Sequence, residues 1–534
     1  MNIKNILQKN KETTAVFFLT FILFFIVQFS SGGLAGNDSH LYIKLADMVK
    51  SGGLIKEFPW LNATIMKDNF TGLHFLYYIL LIPFTYFGSL IIGAKIASLF
   101  FLSLMMAVFY AVLKSLKLKY SFFWYLLLLS SSGYFIFRMN LARPLNFSVV
   151  IILAVFYALL KKNNLLLFAT SFLFVWAHGS FPLSVFLTLV FIFVNYIQSK
   201  KIYYKLLLSS LGGIILATFV NPFFPKNVSY FSIYYLNSTP YSLTSGIAEW
   251  QPLGIDQLFF DAPVFLPLFL LTVVVYMLWL VLKLINNISF FEEKPDRKTA
   301  LNFSLILSVI FLIGTFIQGR FIDYWTPFAV IFVALSFESL YSEFAKKGFF
   351  KKMTDKIKWP GFFSLEDIKL TGVILLLTGF GILILSKANF VLYMSGDGKL
   401  DKDIQQSSEW LIKNTPEKSI VFNVNWGNFS KLFLFNSHNY YIMGLDPKFM
   451  ASPERYWLYS NIGNGMVCEK EKCLEQEDKR SIYDIIKKEF NADYVYIPKN
   501  YKDFDYTNLV TIMAYDSRFE KTHENESGQI WILK

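Results

Sequence analysis

Residues 15–50 read AVFFLTFILFFIVQFSSGGLAGNDSHLYIKLADMVK, an apolar run followed by a short polar loop and an amphipathic segment. The apolar run, 15–30, has the composition of a membrane-spanning helix. Asp38 stands in the loop just after it, in Gly36-Asn37-Asp38-Ser39-His40. A carboxylate at the mouth of an apolar helix costs desolvation energy, which makes Asp38 a candidate functional residue.

The segment after the loop, 40–50, predicts a helix that can lie flat on a membrane surface. Its spacing puts apolar side chains on one face (Leu41, Leu45, Met48 and Val49) and charged side chains on the other (Lys44, Asp47 and Lys50). A span, an acid and a surface helix together hold a carboxylate at the water–lipid boundary, where a lipid-borne substrate can reach it.

The composition excludes a soluble protein. Of 534 residues, 54% are hydrophobic, 19% aromatic and only 16% charged, with a mean hydropathy of +0.44. The net charge of +12 does not indicate nucleic-acid binding, because the basic residues cluster between apolar runs, as orientation signals do. The first run has no A-x-A-like cleavage site after it, which favours a signal anchor over a signal peptide. The two cysteines, Cys468 and Cys473, exclude a disulfide framework and a cysteine metal site, and a local disulfide between them stays open.

Twelve apolar runs follow one another through the first three quarters of the chain. They fall near residues 15–30, 73–92, 95–113, 120–137, 146–160, 165–178, 181–197, 205–220, 264–284, 300–318, 321–341 and 370–390.

The positive charges between the runs predict the orientation. Simple alternation of twelve spans places Lys4, Lys9 and Lys11 on the opposite side from every other basic cluster. This conflict disappears if 73–92, which contains Pro83, is a re-entrant or interfacial segment. We therefore expect about eleven spans, a cytoplasmic N-terminus, and an integral location in the plasma membrane (the inner membrane in a prokaryote). The alternative is twelve spans with the N-terminus outside and Asp38 in the cytoplasm.

The remaining residues predict a separate extracytoplasmic α/β domain at 395–534, after a transmembrane domain at 1–394 whose catalytic outer loops are 31–72 and 221–263. The pattern indicates helices at Asp401–Asn414 and Asp478–Phe490. Strands are indicated at Ser419–Asn423, Asp493–Ile497, Leu509–Ala514 and Gln529–Leu533.

The loop 221–263 is too long for a simple connection, and it carries SGIAEWQP at 245–252 and FFD at 259–261. These residues resemble the catalytic subunit of oligosaccharyltransferase, whose long outer loop has S-V-S-E-x-Q-P followed by F-F-D. Glu249, Gln251 and Pro252 fall on matching letters. That family also has an outer-loop Asp after its first span, like Asp38, and an Arg followed seven residues later by Pro, like Arg320 and Pro327.

Two departures from that family narrow what the resemblance implies. After Arg138 the family has a metal-binding Asp-Asn-Glu, and this chain has Leu145, Asn146 and Phe147 in its place. The family's sequon-reading W-W-D-Y-G has at most a remnant at 425–428, NWGN. The resemblance therefore implies the wider GT-C superfamily, which includes mannosyl- and aminoarabinose transferases that use a polyprenyl-phosphate sugar, the same outer-loop Asp and often no metal.

These residues predict a membrane glycosyltransferase of the cell envelope that moves a sugar from a polyprenyl-(pyro)phosphate donor to an acceptor with inversion. Asp38 is the expected general base and Glu249 a second catalytic or positioning group. Phosphate binding is expected of Arg320 with Arg138 or Arg143. The further substrate-binding candidates are His178, His40, Trp250 and Gln251.

Several alternatives stay open at this point. Asp38 also suits an N-cap of the helix at 40–50, Arg320 a snorkelling interfacial residue, and His178 a structural role. A divalent cation on Asp38, His40 and Glu249 is conceivable, although the usual second acidic motif is absent. The acceptor is a lipid, a glycan or a protein. Rival functions are an oligosaccharyltransferase acting on protein, a transporter or flippase, and a scaffold whose tail binds partners.

Overall fold

The computed structural model describes residues 10–72, 74–229, 231, 248–286, 295–346, 365–396, 399–469, 472–473, 481–499 and 505–534. The chain divides into two compact units, which are described separately. The first unit comprises Met1–Gln28, Ser98–Thr218 and Ile247–Met394, and the second comprises Phe29–Ala97, Phe219–Gly246 and Ser395–Lys534. The second unit thus draws on both predicted domains.

The described residues are mostly helical. The α-helices are α1 (Lys11–Ser30), α2 (Asp38–Gly52), α3 (Phe75–Leu81), α4 (Leu90–Ser115), α5 (Ser121–Ser131), α6 (Gly133–Met139), α7 (Pro144–Leu160), α8 (Asn164–Ala177), α9 (Pro182–Ser199), α10 (Tyr204–Phe219), α11 (Ile255–Asp261), α12 (Phe265–Asn286), α13 (Pro295–Ile317), α14 (Ile322–Lys346), α15 (Leu365–Ser395), α16 (Lys399–Asn414), α17 (Phe429–Phe435), α18 (Pro453–Ile462), α19 (Ile482–Asp484) and α20 (Thr507–Tyr515). Short 3₁₀ helices lie at Ile82–Tyr86, Ala248–Trp250, Gly319–Phe321, Trp426–Asn428 and Pro447–Phe449.

The helices confirm a polytopic membrane protein. Within the described residues, seven helices are long and apolar enough to cross a bilayer, and α5 with α6 forms an eighth candidate span that bends by 94°. Four shorter apolar helices lie at Phe75–Tyr86, Pro144–Leu160, Asn164–Ala177 and Tyr204–Phe219. The expected count of about eleven requires the last three of these to cross as well, and it stays a prediction.

The segment 73–92, predicted to be re-entrant or interfacial, is a broken apolar element. Helix α3 passes into the 3₁₀ helix Ile82–Tyr86, and the chain then turns at Gly88 (φ +75°) before α4 begins. The break inside this element and the turn that follows it agree with a segment that does not cross.

The C-terminal part of the second unit confirms a small α/β domain. The strands are β1 (Ile420–Asn423), β2 (Tyr440–Tyr441), β3 (Cys468–Glu469), β4 (Lys472–Cys473), β5 (Tyr494–Pro498), β6 (Phe519–Glu524) and β7 (Gly528–Leu533). Five of them form one sheet in the order β2-β1-β5-β7-β6, with β1 parallel to β2 and β5, and β7 antiparallel to β5 and β6. The strands β3 and β4 pair separately, and their register sets Cys468 opposite Cys473.

One predicted strand is wrong. Leu509–Ala514 lies in helix α20, because its buried residues Leu509 and Met513 are four apart and so share a helical face. A short apolar run of this kind fits a helix and a strand equally well. The strand at the edge of the sheet is instead β6, whose charged sequence FEKTHE has no apolar alternation that would predict a strand. The helix predicted at Asp478–Phe490 is present as α19 and a π-helical turn at Ile485–Glu489, and residues 478–480 lie outside the described part of the chain.

The loop 31–72 packs on the α/β domain inside the second unit. Asn62 N donates to Tyr441 O (2.8 Å), Ala63 N to Ile442 O (3.1 Å), and Phe58 packs on Phe429 and Phe433. The buried face of α2, expected to rest on the membrane, contacts α17 and α3. Loop 31–72 therefore packs as part of the C-terminal α/β domain (the tail domain, residues 395–534).

Candidate functional site

The bend between α5 and α6 places Arg138. Ser132 caps α6, because its Oγ accepts from Phe135 N at 2.9 Å. Asp261 reinforces this cap: its Oδ1 accepts from Tyr134 N at 2.8 Å, and its Oδ2 accepts from the Ser132 hydroxyl. Burial raises the pKa of the Asp261 carboxyl, and these two hydrogen bonds offset the effect in part. Asp261 therefore fixes the helix that ends at Arg138.

Arg138 lies between two carboxylates. Its Nε and Nη2 donate to Asp323 at 2.9 and 2.8 Å, and its Nη1 donates to Glu249 Oε2 at 2.7 Å. The side chains of Arg138 and Asp323 are 5% and 0% exposed, so both charges have left water. Desolvation of two ions is tolerable only with this multiple hydrogen bonding.

Glu249 collects two further guanidinium groups. Arg143 donates from Nη1 to Oε2 at 3.2 Å and from Nη2 to Oε1 at 3.3 Å, and Arg320 Nη2 lies 3.4 Å from Oε1. The Arg320 guanidinium also stacks over the Trp250 ring, 4.5 Å from its centroid. The structure thus brings together five predicted positions: Arg138, Arg143, Glu249, Trp250 and Arg320.

The arrangement carries an excess of positive charge. Burial alone would raise the pKa of Glu249, but Arg143, Arg138 and Arg320 together hold it well below its ordinary value, so the carboxylate stays ionised. Three arginines against two acids leave a formal charge of +1 on the cluster. Arg143 and Arg320 remain 22% and 25% exposed, so both can meet an anion from outside while Glu249 orders them.

Backbone contacts hold the loops of this cluster in register. Gly319 N donates to Gln251 O at 2.8 Å, and a Cβ on Gly319 would lie 3.3 Å from that oxygen, so a glycine suits the close approach. Asn146 donates from Nδ2 to Leu141 O at 3.0 Å. Asn146 thereby braces the turn between Arg138 and Arg143.

Asp323 is a site residue that the sequence reasoning missed. It lies three residues after Arg320, at the start of α14. Its signal was present, since an acid at the start of an apolar run is costly unless it has a partner. The charge pattern drew attention to arginines on the expected outer face and away from the acid beside one of them.

Asp38 belongs to the second unit and is the first residue of α2. The cap position belongs to Asn37, which makes no side-chain cap hydrogen bond, so the alternative of Asp38 as N-cap is wrong. In the first turn, the positive end of the helix dipole favours a carboxylate. Asp38 is partly exposed, in agreement with a group that must meet a substrate.

His40 is fully buried and does not line an open surface. Its Nδ1 lies 3.1 Å from Gly36 O and its Nε2 lies 3.2 Å from Asp401 Oδ2. Asp401 also pairs with Lys431 at 2.7 Å. His40 was predicted to bind substrate, and its observed contacts are internal. Asp401 gave no signal in the sequence, because it is one of several acids on the amphipathic helix α16.

His178 ends α8 and has an internal contact. Ser180 N donates to its Nδ1 at 3.0 Å, which fixes the tight turn into α9. Nδ1 is therefore the acceptor nitrogen of this ring. Its predicted role toward substrate stays a prediction.

The residues proposed for a cation do not suit one as they are placed. Three guanidinium groups surround Glu249 and repel a divalent ion. Both ring nitrogens of His40 already face oxygen atoms within 3.2 Å. Over the described residues, no group of three or more His, Cys, Asp or Glu side chains is placed to hold a metal ion.

Comparison with solved structures shows the same fold in membrane proteins of known identity. The chain matches the oligosaccharyltransferase of Archaeoglobus fulgidus in its apo form with a TM-score of 0.61 at 12% identity, covering 91% of this chain and 69% of the other. It matches the A. fulgidus oligosaccharyltransferase AglB, in complex with an inhibitory peptide and a dolichol-phosphate, with a TM-score of 0.63 at 12% identity, covering 92% and 70%.

A third structure is matched over nearly its whole length. ArnT from Cupriavidus metallidurans, in the apo state, gives a TM-score of 0.54 at 12% identity, with 97% of this chain and 98% of that chain covered. No protein-family model and no curated protein matches the sequence. At this identity the likeness shows the fold, and it confirms the predicted class of a polytopic helical membrane protein with a C-terminal α/β domain.

Proposed function

We propose that this protein is a membrane glycosyltransferase that moves a sugar from a polyprenyl-phosphate or -pyrophosphate donor to an acceptor on the extracytoplasmic face. Asp38 is the general base. Arg320 and Arg143 bind the donor's phosphate, Arg138 holds Glu249 in place beside them, and Glu249 with Trp250 and Gln251 orders the two binding arginines.

The arginine cluster is the observation that carries the proposal. Three guanidinium groups converge on one carboxylate, two of them remain partly exposed, and the cluster keeps a formal charge of +1. Guanidinium pairs match the oxygen geometry of phosphate, and such a cluster is costly to keep unless it binds an anion. Its charges lie at helix ends and in 3₁₀ turns, whereas transporters usually carry them in mid-span.

The reaction needs only these groups. Asp38 accepts the proton of the acceptor hydroxyl while the oxygen of that hydroxyl attacks the anomeric carbon of the donor sugar. The bond from that carbon to the phosphate oxygen breaks, and the electron pair leaves with the phosphate, which the arginines neutralise. One direct displacement inverts the anomeric centre. The proposal requires Asp38 and the arginine cluster to meet the same donor molecule.

The comparisons support a lipid-linked donor. One of the matched proteins binds a dolichol-phosphate, which is a polyprenyl-phosphate lipid. Leu145, Asn146 and Phe147, which stand in place of the Asp-Asn-Glu of oligosaccharyltransferases, favour transfer of a single sugar over transfer of a whole glycan to protein. The second candidate, transfer of a whole glycan to protein, is favoured only by the slightly higher TM-scores.

The test is turnover of a panel of polyprenyl-phosphate sugars by the purified full-length protein and by Asp38→Asn. We expect wild-type turnover with at least one donor and a loss of ~10²–10⁴-fold in kcat in the variant, as removal of a general base gives. Unchanged turnover in Asp38→Asn would remove this residue from the chemistry.

The same preparation separates the two candidates. A peptide with an Asn-x-Ser/Thr sequon, offered with a lipid-linked oligosaccharide, should remain unmodified while the hydroxyl acceptor is glycosylated. Modification of the peptide Asn would establish the oligosaccharyltransferase reading. Movement of donor lipid between leaflets without any sugar transfer would instead establish a flippase.

A further inference from the structure

The loop that carries Asp38 is fixed at both ends by a single carboxylate oxygen. Asp401 Oδ2 accepts from Leu34 N at 3.0 Å and lies 3.2 Å from His40 Nε2. Asp38 stands between these two anchor points, two residues before His40. The anchors are buried: Leu34, His40 and Asp401 are 4%, 0% and 4% exposed. Water therefore does not compete for these hydrogen bonds.

His40 adds internal bracing to the same loop. Its Nδ1 faces Gly36 O at 3.1 Å and Asn37 O at 3.2 Å, which are acceptors only. Its Nε2 faces Asp401 Oδ2 at 3.2 Å, so each ring nitrogen lies within hydrogen-bond distance of an oxygen atom. The ring thus links the backbone on the N-terminal side of Asp38 to helix α16.

Two lysines support this arrangement. Lys431 Nζ lies 2.7 Å from Asp401 Oδ1, the oxygen that the loop does not use. Lys95 Nζ donates to Ser31 O at 2.6 Å, where the chain leaves α1. The loop is thus held at Ser31, Leu34 and His40. Lys431 compensates the negative charge of the buried Asp401 carboxylate.

We propose that Asp401 is a positioning residue for the transfer reaction. It holds residues 34–40 so that the Asp38 carboxylate stays aligned with the acceptor hydroxyl. A base that must approach within hydrogen-bond distance loses activity steeply when its loop shifts by about 1 Å. The inference rests on the proposed function, because it takes Asp38 as the base, and it assigns the tail domain a part in catalysis.

The experiment compares Asp401→Asn with Glu409→Gln in the full-length protein, using the donor that wild type turns over. Both changes remove one carboxylate from α16, and Glu409 is exposed. We expect Asp401→Asn to lower kcat by ~30-fold or more, with less than ~3-fold change in the donor KM. Amide hydrogen exchange at residues 34–40 should rise in the same variant. Glu409→Gln should match wild type in every measurement.

A second variant keeps the inference testable if Asp401→Asn does not fold. His40→Gln breaks the same connection, and we expect the same loss of kcat. In the double variant the loss should be no larger than in either single one, since the two residues act as one unit. Multiplied losses, wild-type kcat in either single variant, or unchanged exchange at residues 34–40 would overturn the inference.

The outcomes separate this inference from the function that it rests on. If Asp38→Asn is inactive and Asp401→Asn turns over like wild type, the positioning role fails and the proposed base stands. If Asp38→Asn turns over like wild type, the proposed base fails and the positioning role fails with it.

Discussion

Arg320 shows how one residue serves two contacts at once. Its guanidinium Cζ lies over the Trp250 ring, 4.5 Å from the centroid, while Nη2 lies 3.4 Å from Glu249 Oε1. A planar group can stack and donate in its own plane, whereas an ammonium cannot do both. Arg320 therefore depends on its shape as much as on its charge.

We expect Arg320→Lys to raise the donor KM by ~10-fold with a smaller change in kcat, because the charge remains while the stack and the in-plane donor geometry are lost. Steady-state kinetics with the polyprenyl-phosphate donor measure this change. Arg518→Lys is the matched control, since Arg518 also stacks on an aromatic ring, 4.4 Å from the centroid of Tyr483, on the tail domain. Equal kinetics for Arg320→Lys and wild type would contradict a phosphate-binding role for Arg320.

At the scale of elements, helix α6 is short and depends on its N-terminal cap. It has seven residues, too few to be stable alone, and it must hold Arg138 against two carboxylates. The cap comes from Ser132 beside it and from Asp261 across the first unit. The 94° bend between α5 and α6 is therefore maintained from outside the element.

Asp261→Ala should lower stability by about 1–2 kcal/mol, the usual value for a lost cap, and should also lower kcat/KM, because Arg138 is displaced with its helix. Thermal unfolding in detergent and donor kinetics measure the two effects. Asn163→Ala is the control: Asn163 caps α8 of the same unit through a 3.0 Å hydrogen bond from Leu166 N, and it is exposed. Asn163→Ala should lower the stability of the protein and leave kcat/KM unchanged. A similar loss of activity in both variants would show that general destabilisation explains the result.

The sequence predicted elements better than it predicted contacts. The apolar runs correspond to observed helices, because about 20 apolar residues suffice to indicate a span. The bend at Ser132 was missed although Ser130–Gly133 interrupts the apolar run there, because apolar residues resume at once and a cap supplied by Asp261 is not visible locally. The short strand β2, Tyr440–Tyr441, was missed because two residues give no periodicity.

The site residues that the sequence predicted are those whose charge is unusual for their expected position in the membrane topology. Arg138, Arg143 and Arg320 stood out as cations on the expected outer face, and the structure brings them together around Glu249. Asp401 could not be predicted, because its significance depends on pairing with His40, 361 residues away in the chain. Long-range pairs of this kind leave no pattern in a single sequence.

At the scale of the whole molecule, the packing of the second unit constrains the topology. Residues 62 and 63 donate backbone hydrogen bonds to Tyr441 and Ile442, and Ala451 N donates back to Ala63 O at 3.1 Å. Such pairing requires the loop 31–72 and the C-terminal α/β domain to lie on one side of the membrane. The chain must therefore cross an even number of times between them. Ten spans satisfy this condition if 73–92 does not cross, and the twelve-span alternative, which has eleven there, does not.

Cysteine labelling tests this topology. In a background with Cys468→Ser and Cys473→Ser, we expect Lys56→Cys to react with a membrane-impermeant maleimide on intact cells, and Lys11→Cys to be protected until the membrane is opened. The twelve-span alternative predicts the reverse for both positions, because it exposes the N-terminus and encloses the loop. Both lysines are exposed on the protein surface, so their access is decided by the membrane. Two further positions serve as controls that both topologies treat alike: Glu409→Cys should be labelled on intact cells, and Lys161→Cys should not. Labelling of Lys11→Cys with protection of Lys56→Cys would move Asp38 to the cytoplasmic side and would remove the extracytoplasmic reaction that we propose.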